Sequence, residues 1–107
     1  MVEKRIKIEL SDPKWLKSQL RIDNSGEPRI EIEDASIILP PHVGNSRNFA
    51  AEAIITGFVT FAGNVAAGLV AAYLYDAMKS GKISRIFVGG EEVSTEEEIE
   101  LSLQDTD

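Results

Sequence analysis

The sequence predicts a small α+β domain with a mainly antiparallel sheet, and three observations carry that prediction. Alternating charged and apolar residues recur through the first forty positions. A stretch of 23 residues from Ala53 to Tyr75 then carries no charge at all, and two further short apolar runs precede an acidic end. Strand-forming stretches segregated from a helical one are the pattern of α+β architecture. With 107 residues, the chain has room for one domain over positions 1–107 and one core.

Arg5–Leu10 sets Arg5, Lys7 and Glu9 against Ile6, Ile8 and Leu10, the period of a strand with one buried face. Ser11-Asp12-Pro13 breaks it and leads into a turn or a single helical turn, with Pro13 suited to a first helical position. Alternation resumes near 19–23 and again at 29–33, across Asn24-Ser25-Gly26-Glu27-Pro28, and this spacing predicts a β-hairpin. Ser36–Leu39 is a short apolar strand closed by Pro40-Pro41, which donate no ladder hydrogen bonds.

The loop PPHVGNSRN at 40–48 supplies Asn45, Ser46 and Asn48 as candidate caps for one long helix near 48–79, with Glu52 at its positive end. Gly81 is placed to end that helix in the left-handed conformation, beside Lys79 and Lys82. A break at Gly63-Asn64 is the alternative, but a helical hairpin needs about 2–5 loop residues, so one helix is expected. Strands near 83–88 and 91–93 follow, joined by a tight turn at Gly89-Gly90. A short helix near 95–103 closes the fold, with Thr95 and Glu98 in capping-box spacing and the last few residues forming a disordered acidic tail.

Projected as a helix, the uncharged run has two unlike sides. Ile54, Phe58, Phe61, Val65 and Leu69 form a bulky stripe, widened by Ile55, Val59, Val70 and Tyr73, that is expected to pack on the sheet. Ala53, Gly57, Thr60, Asn64, Gly68, Ala71 and Tyr75 form a slim one without the charges that water-facing helices carry. Glycine inside a helix costs about 1 kcal/mol relative to alanine, so the slim stripe asks for a packing reason. Close approach of a second backbone supplies one, and a second copy of the chain is the most economical partner. The alternatives are burial within the chain and a membrane span. The span fits the required length of about 20 residues, but its glycines, Asn64, Thr56 and Thr60 oppose insertion.

Charge is unevenly placed. The net charge is −7, yet residues 1–48 carry eight bases and eight acids, and every acid from Ile86 onward is unmatched by a base. Glu91, Glu92, Glu96, Glu97, Glu98 and Glu100 head that acidic end, which repels phosphate backbones and argues against direct nucleic-acid binding. There is no cysteine, which removes disulfides, thiolate metal sites and thiol chemistry, and fits a reducing cytoplasm. The one histidine, His42, lies in the loop with no nucleophile implied beside it. Glu96-Glu97-Glu98 are consecutive and splay around a helix instead of converging on a metal.

No catalytic, cofactor or metal site is therefore expected. The expected function is a non-catalytic protein–protein interaction module in the cytoplasm. It self-associates through Ala53, Gly57, Thr60, Asn64, Gly68, Ala71 and Tyr75, and docks a further partner of basic character on Glu91, Glu92, Glu96, Glu97, Glu98 and Glu100. Two alternatives come from other classes: an acidic inhibitor imitating nucleic acid, and a membrane-inserting small subunit.

Overall fold

Alternation in the sequence becomes the two faces of one sheet. The computed structural model describes residues 2–22, 28–33, 35–40 and 54–104. Along the chain these form β1 (Val2–Leu10), α1 (Pro13–Gln19), β2 (Arg21–Ile22), β3 (Pro28–Ile32), β4 (Ala35–Ile38), β5 (Ile54–Phe61), α2 (Gly63–Lys79), β6 (Ile83–Val88), β7 (Glu91–Val93) and α3 (Glu96–Gln104). Among the described residues the seven strands make one sheet in the order β2-β3-β4-β5-β1-β6-β7, and every pairing is antiparallel. The class is α+β, as the alternation predicts.

The three helices among the described residues pack on one face. Ile6, Ile8 and Leu10 of β1, Ile55, Val59 and Phe61 of β5, and Ile83, Ile86 and Val88 of β6 point into the core. They meet Ala66, Ala67, Val70, Ala71, Leu74 and Ala77 of α2, with Ile99 and Leu103 of α3 and Leu16 of α1 filling the flanks. Trp15 of α1 lies 6.0 Å from the Tyr73 ring, and the Tyr73 hydroxyl donates to Gln19 Oε1 at 2.8 Å. Burial pushes the Tyr73 phenol up to about 12, because the charged form loses its hydration there.

The uncharged run divides in a way its charge pattern conceals. Residues 54–61 are not the first half of a helix near 48–79 but the central strand of the sheet, and the helix occupies Gly63–Lys79 alone. The residue types account for this. Ile54, Ile55, Thr56, Val59 and Thr60 are β-branched and Phe58 and Phe61 aromatic, types that suit a pleated surface. Alanines dominate only from Ala62 onward, where propensity turns helical. Gly63, at φ +85°, makes the corner between them.

The expected packing of α2 holds only in part. Val70 is fully buried as expected, together with Leu74 and the small residues Ala66, Ala67, Ala71 and Ala77, while Val65 is 79% exposed and Leu69 only half-buried. Short side chains let the helix axis settle close to the sheet and to α3. No helix among the described residues is long and apolar enough to cross a membrane.

Other elements follow their local signals. α1 extends to seven residues, longer than the single turn expected. Its Asp12 does not cap with its side chain and instead pairs with Lys82 Nζ at 3.4 Å. Two backbone bonds, from Ser11 and Asp12 amides to the Lys82 carbonyl at 3.0 and 3.2 Å, tie the same corner. At the end of α2 the Lys82 amide reaches back to the Ala77 carbonyl at 2.9 Å and Gly81 takes φ +78°, a Schellman closure. Gly89 and Gly90 both have positive φ, +60° and +90°, as a two-residue type I′ hairpin requires. The cap candidates Asn45, Ser46 and Asn48, together with His42, Arg47, Glu52, the hairpin turn at 23–27 and the tail at 105–107, lie outside the described residues.

Candidate protein-interaction surface

With the helices on one side, the other side of the sheet is bare of described residues, and the strand register arranges its side chains in rows. Arg21, Arg29, Ile38, Phe58 and Arg5 stand side by side on β2, β3, β4, β5 and β1. One step along the strands lie Thr56, Lys7, Phe87 and Glu92. On the other side of the arginine row lie Glu31, Ser36, Thr60 and Glu3.

The centre of this face is unusual. An antiparallel strand with one face in water normally alternates apolar-in with polar-out. The outward side of β5 is instead Ile54, Thr56, Phe58 and Thr60, with no charge, and Ile54 and Phe58 are 56% and 43% exposed. Two open grooves flank it, both reaching Thr56. One, of about 410 Å³, is lined by Arg5, Lys7, Phe87 and the Gly89-Gly90 turn; the other, of about 470 Å³, by Glu3, Ile38, Pro40 and Phe58.

The charges around this apolar centre are of both signs, with a slight excess of cations. Arg5, Lys7, Arg21, Arg29 and Arg85 face outward against Glu3, Glu9, Glu31 and Glu92, in a chain whose net charge is −7. Some are held within the face. Arg29 lies 3.8 Å from Glu31, which also accepts from Ser36 Oγ at 3.1 Å; Arg85 lies 3.9 Å from Glu92; Lys7 Nζ sits 4.5 Å from the Phe87 ring centre. Arg5 and Arg21 form no ion pair among the described residues. Arg21 stands directly opposite Arg29, a like-charge pairing beside which Glu31 supplies an anion to Arg29.

The residues expected to form one slim helical face are dispersed by the fold. Gly57 faces the core from β5, where Ile6 is its partner, and Thr60 points out on the opposite side. Asn64 is exposed at the start of α2, Ala71 is fully buried, and Tyr75 is half-buried. Gly68 faces α3: a Cβ there would lie 3.7 Å from the Glu100 carboxylate. Ala53 lies outside the described residues. The helical part of the stripe is therefore covered in part by the chain's own C-terminal helix, the intrachain alternative weighed above.

The acidic end is partly employed in building α3. Glu98 Oε1 accepts from the Ser94 amide and hydroxyl, both at 3.0 Å, and from the Thr95 amide at 3.2 Å, while the Glu98 amide donates to Thr95 Oγ1 at 3.1 Å. This is the capping box the spacing predicts. The bonds from Ser94, backbone first, hold the Glu98 carboxyl below its ordinary range. Glu96, Glu97 and Glu98 together complement the positive end of the helix. Glu100 accepts from Gln104 at 3.2 Å, and Glu92 belongs to the sheet face. Glu96 and Glu97 remain exposed on α3, and Glu91 is exposed on β7 on the helix side of the sheet, opposite core-facing Val88.

The chain matches no protein-family model, no curated protein and no solved structure. The geometry of its own surface is what its function must be read from. Ile38, Ile54, Phe58 and the arginine row escape a reading based on helical spacing. A period-two reading of 54–61 separates Ile54, Thr56, Phe58 and Thr60 from the core residues; assembling the row also requires the β1–β5 pairing.

Proposed function

We propose that this is a non-catalytic, cytoplasmic interaction module that binds another polypeptide through the open face of its sheet. The observation that carries the reading is the uncharged outward side of the central strand, with Ile54 and Phe58 exposed and flanked on β1 by Glu9 and Arg5. Both side chains are already about half covered, so burying the rest on association is worth about 1 kcal/mol each. A grooved apolar centre with a charged rim is the anatomy of a docking surface. The absence of cysteine fits the compartment. Among the described residues, the displaced protonation of Tyr73 and of Glu98 is accounted for by packing and by capping.

The test is site-specific photo-crosslinking in living cells. A photoreactive side chain at Thr56, between the two grooves, is expected to yield discrete protein adducts, and the same probe at exposed Lys14 on α1 is not. Ile54→Thr combined with Phe58→Thr should abolish the Thr56 adducts at a cost of about 1–2 kcal/mol in stability, because each side chain is about half covered by its sheet neighbours, with the fold retained by circular dichroism. Equal labelling from both sites, or none from Thr56, would dismiss the sheet face as the docking surface.

A further inference from the structure

We infer that the occupant of the open sheet face is the acidic α3 end of a second copy, so that chains assemble head to tail; this rests on the sheet face being the docking surface. Across that face Arg29, Ile38, Phe58 and Arg5 occupy four adjacent strands. Neighbouring strands are about 4.8 Å apart, so the two arginines bracket the apolar pair over about 14 Å. The complement is present on the same chain. Leu101 of α3 is 58% exposed, with Glu97 one helical turn before it on the same side. Glu96 precedes it, and Glu91 lies on the neighbouring edge strand. An apolar knob with carboxylates beside it matches an apolar seat with guanidiniums beside it, and Arg5 has no ion pair of its own among the described residues.

Other arrangements of the same surface are less favourable. A two-fold axis across the strands, passing between the Arg5 and Lys7 rows, lays Arg5 on Lys7 and Glu3 on Glu9 of the second copy, because the outward side of β1 reads Glu3, Arg5, Lys7, Glu9. A two-fold axis along β5 lays that charged row on uncharged Ser36 and Ile38 and desolvates it without partners. Nucleic acid meets four outward carboxylates within the face and a net charge of −7, so phosphates are repelled. A contact between two different surfaces of one chain does not close on itself as a two-fold does; it propagates into a ring or a filament.

Light scattering behind gel filtration, over a range of concentrations, tests this with two variants that each spoil one surface. Phe58→Asp removes the seat and Leu101→Lys the knob, and both positions are exposed, so neither should disturb folding. Arg5→Glu repeats the first test without altering any apolar group. The wild-type chain should grow in mass with concentration, past a dimer, and return to monomer in about 1 M salt, where the Debye length is about 3 Å. Each variant alone should stay monomeric. An equimolar mixture of Phe58→Asp and Leu101→Lys should give a one-to-one dimer, since one still offers its α3 and the other its sheet face. A wild-type chain that stays monomeric, a variant that assembles as the wild type does, or a mixture that stays monomeric would each overturn the inference. Crosslinking from Thr56 to a different protein, with a monomeric wild type, would leave the docking face standing and remove only the second copy from it.

Discussion

Gly57→Ala is expected to destabilise the fold by about 3 kcal/mol, a magnitude at the upper end of overpacking in a tight interior. Gly57 lies in the central strand opposite Ile6 and faces the core. A Cβ built on it would overlap the backbone carbonyl oxygen of Ile38 and meet Leu39 Cδ2 at 3.0 Å. A backbone atom cannot swing aside as a side-chain tip does, so β4 would have to lift from β5. The sign makes this substitution informative. In a solvent-facing helix the same change should stabilise by about 1 kcal/mol, since alanine is the better helix former. Gly68→Ala provides the contrast within α2: its Cβ would find ordinary contact with the Glu100 carboxylate, and a small gain is expected. Urea unfolding of both variants, read by midpoint at constant slope, separates the two signs.

Leu74→Ala should cost about 3 kcal/mol, within the range found for emptying a leucine site in a core. Leu74 has no exposed surface and sits among the alanines with which α2 approaches the sheet. Those alanines cannot expand to fill the space, so most of the cavity should persist. For a domain of this size the loss corresponds to a fall in Tm of about 15 °C, read by thermal unfolding. Val65→Ala, a bulky residue on the same helix, should change stability by less than about 0.5 kcal/mol because its side chain lies in solvent. Similar losses for Leu74 and Val65 would mean that α2 packs by its bulky stripe after all.

The contrast between these residues explains what could be read beforehand. β1 and the last hairpin were legible because one face is charged and the other is not: Arg5, Lys7 and Glu9 mark the side opposite Ile6, Ile8 and Leu10. Gly81, Gly89-Gly90 and the Thr95–Glu98 box were legible because their conformations depend on local chemistry alone. β5 was concealed because neither of its faces is charged. Ile55, Gly57, Val59 and Phe61 point inward and Ile54, Thr56, Phe58 and Thr60 outward, so a period of two left no charge signal and a helical period fitted by default. The same uncharged outward face that hid the strand is the feature proposed to bind. The arginine row was beyond sequence reasoning for a different reason: Arg5 and Phe58 become neighbours only through a register between distant segments, and register depends on the whole sheet.

The central claim is that residues 54–61 form the middle strand and turn Ile54 and Phe58 to the side of the sheet opposite the described helices. Nuclear Overhauser contacts of the Phe58 ring and the Ile54 methyls, recorded on dilute protein, test it most directly. The structure predicts contacts of Phe58 with Arg5 and Ile38 and of Ile54 with Glu9, its sheet neighbours, and none with α2 or α3. Contacts from Phe58 to Phe61 and Ala62 at helical spacing, or from Ile54 and Phe58 to Val70 and Leu74, would contradict the strand and the open face together.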